Sequence, residues 1–546
     1  MKIFLIQPPI RDFYQTSIRT QPIGLAYLAA SLQKNGHEVG ILDGQTGKKK
    51  SIPIPSDLSY LRDFYPFDDR SPFKLYSGYY HFGMGWEEIR KKIVESKADV
   101  FGISSNFTPY HEEALKIARI IKEWDEKKIV VMGGAHASCD PENVLKSLFI
   151  DYVVMGEGEI RFPLLLEAVE KGGGIEEIDG IGFWRDGEIR MNPLETFIQD
   201  LDHLPHPARE LLDPDRYRVR KQRSTMIITS RGCPHQCAYC STHLVTGASF
   251  RKRSPETILR EMDECRNRYG IEVFDIEDDN FTYDKIRAKR LMQLIVQNFG
   301  EERIELTAMN GISFASLDGE LLRSMKRAGF KTINLSFVTT DFSVKERMRR
   351  PGLAVDFEEV VSKAEEVGLH VVAYAIWGMP GQTVEEMVDT LICLTGMRVL
   401  IGPSIYYPTP GTLLFERCKK EGILPSYPSQ WRSSAIPIET GEFSRIDIVT
   451  LLGLARVTNF IKGKMDEGEI NDGITWKELD RILNDRKGRE AWIDLLLLFL
   501  KEKAFFTLRK KFGKEVSVLK ERRSERVLDY FFKKAWDKPV LRSRNY

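Results

Sequence analysis

Cys233, Cys237 and Cys240 stand in the string Arg-Gly-Cys-Pro-His-Gln-Cys-Ala-Tyr-Cys-Ser, directly after the apolar run Met226-Ile227-Ile228-Thr229. Thiolates spaced C-x3-C-x2-C on one tight loop suit a cubane iron–sulfur cluster, which ordinarily takes four cysteine ligands. With three, one iron keeps an open position, as a catalytic metal requires. The alternative is a structural zinc ion with His235 or His243 as fourth ligand. Zinc knuckles usually pair two C-x2-C units, and no second pair is present. Cys139, Cys265, Cys393 and Cys418 are scattered singly and read as small buried apolar residues. They offer no framework for a second cluster or for disulfides, and free thiols beside a labile cluster belong in a reducing compartment.

The cysteine loop follows the first of six apolar runs, at about 226–229, 272–276, 304–308, 332–337, 370–376 and 402–406. Helical patterns lie between them, for example 255–269 with Pro255 in its first turn. Polar or glycine-rich strings close these runs: Glu277-Asp278-Asp279-Asn280-Phe281, Ser336-Phe337-Val338-Thr339-Thr340-Asp341, Trp377-Gly378-Met379-Pro380-Gly381 and Tyr407-Pro408-Thr409-Pro410-Gly411-Thr412. Carboxylates and amides at a strand end suit an ammonium, which only donates hydrogen bonds.

The first part alternates in the same way. Strands are expected at 2–7, 37–42, 100–104, 129–132 and 151–155, with helices at 22–35, about 110–124 and from about 162. Such alternation predicts a parallel, doubly wound sheet whose ligands bind at the carboxyl ends of the strands. The loops there are Pro8-Pro9, Ser104-Ser105-Asn106-Phe107-Thr108, Gly133-Gly134-Ala135-His136 and Gly156-Glu157-Gly158-Glu159. Their glycines permit close backbone approach to a large ligand. No G-x-G-x-x-G follows the first strand, which weakens a dinucleotide-binding reading. An insertion at about 44–84, with Lys48-Lys49-Lys50 and Tyr76, Tyr79, Tyr80 and Phe82, shows no sustained period, and its aromatic residues argue for an ordered lid. A hairpin is expected at 178–190, turning at Arg185-Asp186-Gly187, followed by a proline-rich linker at 202–207.

In this order and spacing the chain resembles the B12-dependent radical S-adenosylmethionine (SAM) enzymes over about residues 1–440. The resemblance implies an α/β protein: a doubly wound, Rossmann-like cobalamin-binding domain at 1–175, a hairpin and linker at 176–224, a (β/α)6 partial barrel at 225–440, and a mainly helical domain at 441–546. It implies a [4Fe-4S] cluster on Cys233, Cys237 and Cys240. SAM contacts are implied at Tyr239, Glu277, Asp278, Asp279, Asn280, Ser336, Thr339, Trp377, Gly378, Pro380 and Gly381. Cobalamin contacts are implied at Pro8, Ser104, Ser105, Thr108, Gly133, Gly134, His136, Gly156, Glu157 and Gly158. Two departures matter. Val338 stands where the family often has a glutamate near the SAM ribose, leaving Thr339, Thr340 or Asp341 as substitutes. The D-x-H-x-x-G motif that supplies a cobalt ligand elsewhere is absent, so His136 is either a corrin or tail contact or simply a hydrogen-bonded structural residue.

The activity so implied begins when a reduced cluster cleaves SAM to a 5′-deoxyadenosyl radical, which takes a hydrogen atom from an unactivated carbon; methylcobalamin then supplies a methyl group. No catalytic residue beyond the cluster and cofactors is implied. The family also contains oxidative cyclases, such as the anaerobic magnesium-protoporphyrin ester cyclase, and rearrangement enzymes. A cobalamin-binding sensor with a structural cluster is an alternative of another class. A tRNA methylthiotransferase would need further N-terminal cluster cysteines, and only Cys139 is there.

Composition sets the outer bounds. The chain has 546 residues and a net charge of +1, which nominates no polyanionic partner such as nucleic acid. Its start lacks the pattern of a secretory signal. The longest apolar run, about 495–500, falls far short of the ~20 residues that span a bilayer, so a cytoplasmic protein is expected. Residues 501–546 hold fifteen Lys and Arg against six Asp and Glu. They form either a solvated helical face or a contact with an acidic substrate or anionic membrane surface. The aromatic insertion and basic tail point to a tetrapyrrole, lipid or natural-product substrate, and the chemistry calls for an electron donor such as flavodoxin or ferredoxin.

Overall fold

The structure is a computed structural model describing residues 1–14, 21–350, 356–486, 490–510 and 516–541. Seven strands form the first sheet in the order Glu188–Met191, Ile181–Arg185, Tyr152–Val154, Ile129–Gly133, Val100–Ser104, Lys2–Gln7, Glu38–Asp43. The last five are parallel. Helices Ile23–Lys34 and Gly158–Lys171 cover one face, and Trp86–Ser96 and His111–Trp124 the other. Lys2–Gln7 is flanked by both of the strands that follow it in the sheet, so the winding reverses between Lys2–Gln7 and Val100–Ser104. A crevice opens at such a switch point, at the carboxyl ends of the strands. The expected hairpin turns at Asp186 and Gly187, both with positive φ, which a two-residue turn of this hand requires.

Helix Gly158–Lys171 begins four residues before the position expected from the sequence. Pro163 lies inside it and has no N–H for the Glu159 carbonyl. The Ser31 hydroxyl donates to that carbonyl instead, tying the two helices on this face together.

Six parallel strands build the second domain: Gln222–Ile227, Val273–Ile276, Glu305–Thr307, Thr332–Val338, His370–Trp377 and Leu400–Ile405. Parallel bridges at Leu306–Phe330 and Ile312–Leu335 join its halves into a partial barrel. The helices outside it start at the side-chain caps that the sequence supplies, including Ser254, Asp284, Asp318, Thr383 and Thr412. Strand parity sorts the side chains. Val371, Ala373, Ala375 and Trp377 are buried beneath the helices, and Tyr374 and Ile376 alternate with them toward the lumen.

Helices Arg445–Asp466, Trp476–Asp485, Ala491–Glu502 and Glu525–Ala535 form most of the C-terminal domain. The mainly helical expectation omits a hairpin, Phe506–Lys510 with Val516–Lys520, whose Phe-Thr-Leu and Val-Ser-Val strings alternate as strands do. Part of the basic excess is used internally: Arg509 pairs with Asp68 and Arg526 with Asp447. Lys511, Lys514, Arg542 and Arg544 lie outside the described residues. Among the described residues no helix is long and apolar enough to cross a membrane.

The insertion is ordered, although no period announced it. Tyr79–Phe82 pairs with Ile10–Asp12 on one side and with Lys50–Ile52 on the other, in a small antiparallel sheet. Phe13, Tyr65, Phe67, Tyr76 and Tyr79 pack ring on ring. The segment then reaches the last domain: Phe73 packs on Phe460 at 5.2 Å, and Asp69 accepts the Leu508 N–H at 3.0 Å. Leu58, Leu61, Tyr65, Phe73 and Tyr79 belong to the same continuous core as the barrel and the C-terminal helices.

In that core Lys462 is fully buried and donates to the carbonyls of Leu394, Met397 and Val399 at 2.9, 2.7 and 2.9 Å. Burial pushes its ammonium down to about 7, while Asp466 and Asp472 oppose the shift. Three acceptors around three donors close the end of helix Val384–Thr395. Lys462→Met leaves those carbonyls unpaired and is expected to cost about 3 kcal/mol, seen as a lower urea midpoint.

Candidate functional site

The cysteine loop leaves the barrel mouth through Ser230–Arg231, which pairs with Arg251–Lys252. Gly232 has φ +81°, and a Cβ there would run into the Ser249 carbonyl, so only glycine fits. The Ala238 N–H donates to Met348 O, and the Leu414 N–H to Ala238 O, both at 2.9 Å. Asp279 braces the loop by accepting from Gly232 N at 3.0 Å, Thr246 Oγ1 at 2.9 Å and Thr242 Oγ1 at 3.2 Å. Each thiol has a polar neighbour. Asn280 Nδ2 lies 3.6 Å from Cys233 Sγ, Cys240 Sγ donates to Thr242 Oγ1 at 3.2 Å, and Arg350 sits beside Cys237 and Tyr239. Cys139 comes from the first domain to Ser241 and Cys240, so this cysteine, read as an isolated apolar residue, lies against the loop. Tyr407 also adjoins Cys240.

Burial raises the Cys233 and Cys240 thiols above their ordinary range, favouring protonation until a metal replaces the proton. Among the described residues no three His, Cys, Asp or Glu side chains converge as a single ion requires. A cubane asks something different, because each thiolate binds a different iron. The donor set fits a three-thiolate cluster. Beside it the buried Asn280 Oδ1 has no hydrogen-bond partner and offers an acceptor to an incoming ammonium.

The strand-end residues divide by side-chain direction. Glu277 faces the lumen. Asp278 turns outward, accepting from Thr229 N at 2.6 Å, Thr229 Oγ1 and Ser230 Oγ at 2.6 Å. Asp278 thus pins the first two strands together and is not brought to the site. Ser336 accepts from Arg350 at 3.1 Å and is linked through it to the cysteine loop. A bulge between Ser336 and Val338, with Val338 at φ +71°, shifts the register, and Thr339 is buried against Thr390 at 3.1 Å, away from the lumen. Trp377 is likewise buried outside the barrel, and Ile376 takes the inward position. Gly378 and Gly381 have φ of +80° and +87°, and the turn between them is held by Arg417 on Pro380 O at 3.2 Å and by Arg347 on Gly381 O at 2.9 Å.

A cavity of about 590 Å³ lies between the carboxyl ends of the two sheets. Pro8, Ser104, Ser105, Gly133, Gly134, Gly156, Glu157 and Gly158 line it from the first domain, and Met226, Ile228, Arg231, Glu277, Asp279 and Asn310 from the barrel. Gly134 has φ +106°, and a Cβ would stand 2.5 Å from Asn106 Oδ1 and 2.7 Å from Ser105 O. Bare backbone on one wall suits a flat macrocycle that must approach closely, so this wall fits a corrin. Thr108 and His136 are not on the wall. They bond each other at 3.1 Å beneath it, with His136 packed 4.4 Å from the His111 ring. Burial holds His136 down to about 3 and His111 to about 4, so both are neutral at pH 7. His136 is thus buried and hydrogen-bonded to Thr108.

Comparison with known proteins matches residues 227–394 to the radical SAM superfamily and residues 78–166 to the B12 binding domain. The chain thus carries a radical SAM domain and a B12-binding domain. An uncharacterized methyltransferase of Pyrococcus horikoshii is 28% identical over 472 residues, 85% of this chain and 94% of that protein. Cytidylyl-2-hydroxyethylphosphonate methyltransferase of Streptomyces wedmorensis is 28% identical over 426 residues, 71% and 75%. The fold resembles that of the radical S-adenosylmethionine methyltransferase TsrM of Kitasatospora setae, solved with cobalamin and a [4Fe-4S] cluster bound. The TM-score is 0.60 at 18% identity, covering 79% of this chain and 84% of that one.

Several residues that join the B12-binding and radical SAM domains escaped the sequence reading. Arg231 reaches Glu157 at 2.9 Å and Glu159 at 2.6 Å, and Arg251 reaches Glu157 at 2.8 Å. Glu157 also accepts the Ile198 N–H at 2.8 Å, so its carboxylate is committed to protein partners although it borders the cavity. At the far side Asp12 accepts from Tyr110 and Ser434, both at 2.6 Å, and from Arg432 at 3.3 Å. Arg-Gly just before the first cysteine was the only signal for Arg231.

Asp275 was also missed. It accepts from Thr307 Oγ1 at 2.7 Å and lies beside Glu277, whose carboxyl is pushed up to about 8 by burial and then by the Asp275 charge. Between the ordinary value of 4.5 and about 8 the folded chain keeps a proton that the unfolded chain has released. Stability of the cofactor-free protein therefore falls as pH rises through this window. Glu277→Gln is expected to have a higher urea midpoint than the parent at pH 8. The gap closes toward pH 5 with a slope of at most about 1.4 kcal/mol per pH unit.

Proposed function

We propose that this chain is a B12-dependent methyltransferase that alkylates an unactivated carbon of a small molecule. The observation that carries the reading is the single cavity shared by the glycine loops of the B12-binding domain and the lumenal mouth of the radical SAM barrel. When bound, the cofactors supply a 5′-deoxyadenosyl radical from SAM at the cluster and a methyl group on cobalt. The chain's own residues hold, orient and shield. Cys233, Cys237 and Cys240 would ligate three irons. Asn280 Oδ1 would accept from the SAM ammonium, replacing a hydrogen bond it otherwise lacks. Ser336, fixed by Arg350, and the Gly378–Gly381 turn would border the nucleoside. Gly133, Gly134, Gly156 and Gly158 would admit the corrin. Glu277 and Asn310 would meet the substrate at the lumen. The insertion, through Gln45 at the cavity wall, would help exclude water as a lid.

A radical enzyme of this kind works in a reducing cytoplasm and draws electrons from a small flavin or iron–sulfur protein. A tetrapyrrole, lipid or natural-product scaffold suits the mixed apolar and acidic lining.

The test is anaerobic purification with iron, sulfide and corrin analysis, then turnover with SAM carrying a deuterated methyl group. A product that carries a CD3 group in place of one hydrogen supports the reading. A corrin-free protein after reconstitution removes it, and a product without the label points to an oxidative cyclase or rearrangement enzyme. Cys240→Ala is expected to lose the cluster iron and 5′-deoxyadenosine formation together. Asn280→Ala is expected to keep its iron while its SAM Kd rises about tenfold or more, as loss of a hydrogen bond to a charged group requires. Gly134→Ala should retain the cluster and lose corrin uptake, measured by absorbance after gel filtration.

A further inference from the structure

Arg231 stands two residues before the first cluster cysteine, and its guanidinium is buried in the other domain. One arm meets Glu157 and the other Glu159, with the Tyr27 ring 5.4 Å away. Glu157 lies between Gly156 and Gly158, which line the cavity wall, and Glu159 follows in the first turn of helix Gly158–Lys171. Arg251, on the strand paired with Arg231, grips the same Glu157 carboxylate. Two cations and two anions, all nearly excluded from water, thus connect the backbone carrying Cys233 to the backbone carrying the glycine wall. Burying four charges is a weak route to stability, since apolar side chains of equal volume often do as well. What a forked guanidinium between two carboxylates adds is a fixed direction and distance.

We propose that Arg231, Glu157 and Glu159 are positioning residues that set the separation of the cluster from the corrin. A shift at Arg231 moves Cys233 at one end of this link and Gly156 to Gly158 at the other. This inference rests on the methyltransferase reading, because it needs both cofactors in one chain. Small errors are costly in such a site, where about 1 Å of misplacement can slow a reaction a hundredfold.

The test uses the full chain loaded anaerobically with cluster and cobalamin, in the parent, in Glu159→Gln, which keeps the side-chain volume, and in Arg231→Lys, which keeps the charge and loses the fork. Electron paramagnetic resonance of cob(II)alamin beside the reduced cluster reports their separation through the splitting each spin imposes on the other. The expected result is that both variants bind iron and corrin in the parent's ratio, with the splitting shifted or lost. Parent-like splitting in both variants would overturn the inference alone, as would a parent that holds both cofactors and shows no splitting. Loss of both cofactors in both variants, with a lowered melting temperature, would mark the network as structural and also overturn it. A parent that takes up no corrin removes the methyltransferase reading, and this inference with it.

Discussion

Everything in this molecule depends on two parallel sheets presenting their carboxyl edges to each other across one space. A parallel sheet binds at that edge because the connecting loops are free to vary there while the strands are not. Here one edge carries glycines and the other carries cysteines and carboxylates. Neither alone encloses the cavity. The facing is held by the Arg231–Glu157–Glu159–Arg251 group on one side and by Asp12, Tyr110, Arg432 and Ser434 on the other. Both groups cross domain borders and both are buried, so the domains cannot slide without leaving charges unpaired.

The same economy runs through the interior. Glu261 is buried between Arg209 and Arg253, and Lys462 among three carbonyls. In each case the charged group meets a partner of opposite charge or a set of acceptors, as the cost of burial demands. The pair Asp275 and Glu277 differs, since there carboxylate faces carboxylate at the lumen. Such an arrangement holds a proton at neutral pH and is found where chemistry or recognition takes place rather than where a core is being sealed.

Much of the architecture was legible because periodicity and caps are local. Strand runs, the helix that opens at Pro255 and the Asp186-Gly187 turn were read directly. The cysteine loop was legible because its spacing has few other uses. Side-chain direction was not. Trp377 and Thr339 were assigned to the site by their place in a string, yet a strand alternates with a period of two, and the bulge after Ser336 changes the parity. Asp278 and Glu157 were read as ligand contacts because they border the right loops, whereas their oxygens are committed to protein donors. Partners such as Arg231 and Glu159 lie 72 residues apart and share no local pattern. The insertion was read as ordered from its aromatic residues, but its strands and its docking on a distant domain were not, because rings that pack on one another and on remote partners leave no period.

That last attachment bears on synthesis. The chain between Ser56 and Phe82 contributes to the core completed by the barrel and the terminal helices, and Asp69 waits for a backbone partner 439 residues later. A ribosome delivers the aromatic group early and its cover last. During most of translation those rings must shelter among themselves or under a chaperone, and a nascent chain released before residue 508 would carry an open apolar seam where the finished molecule has none.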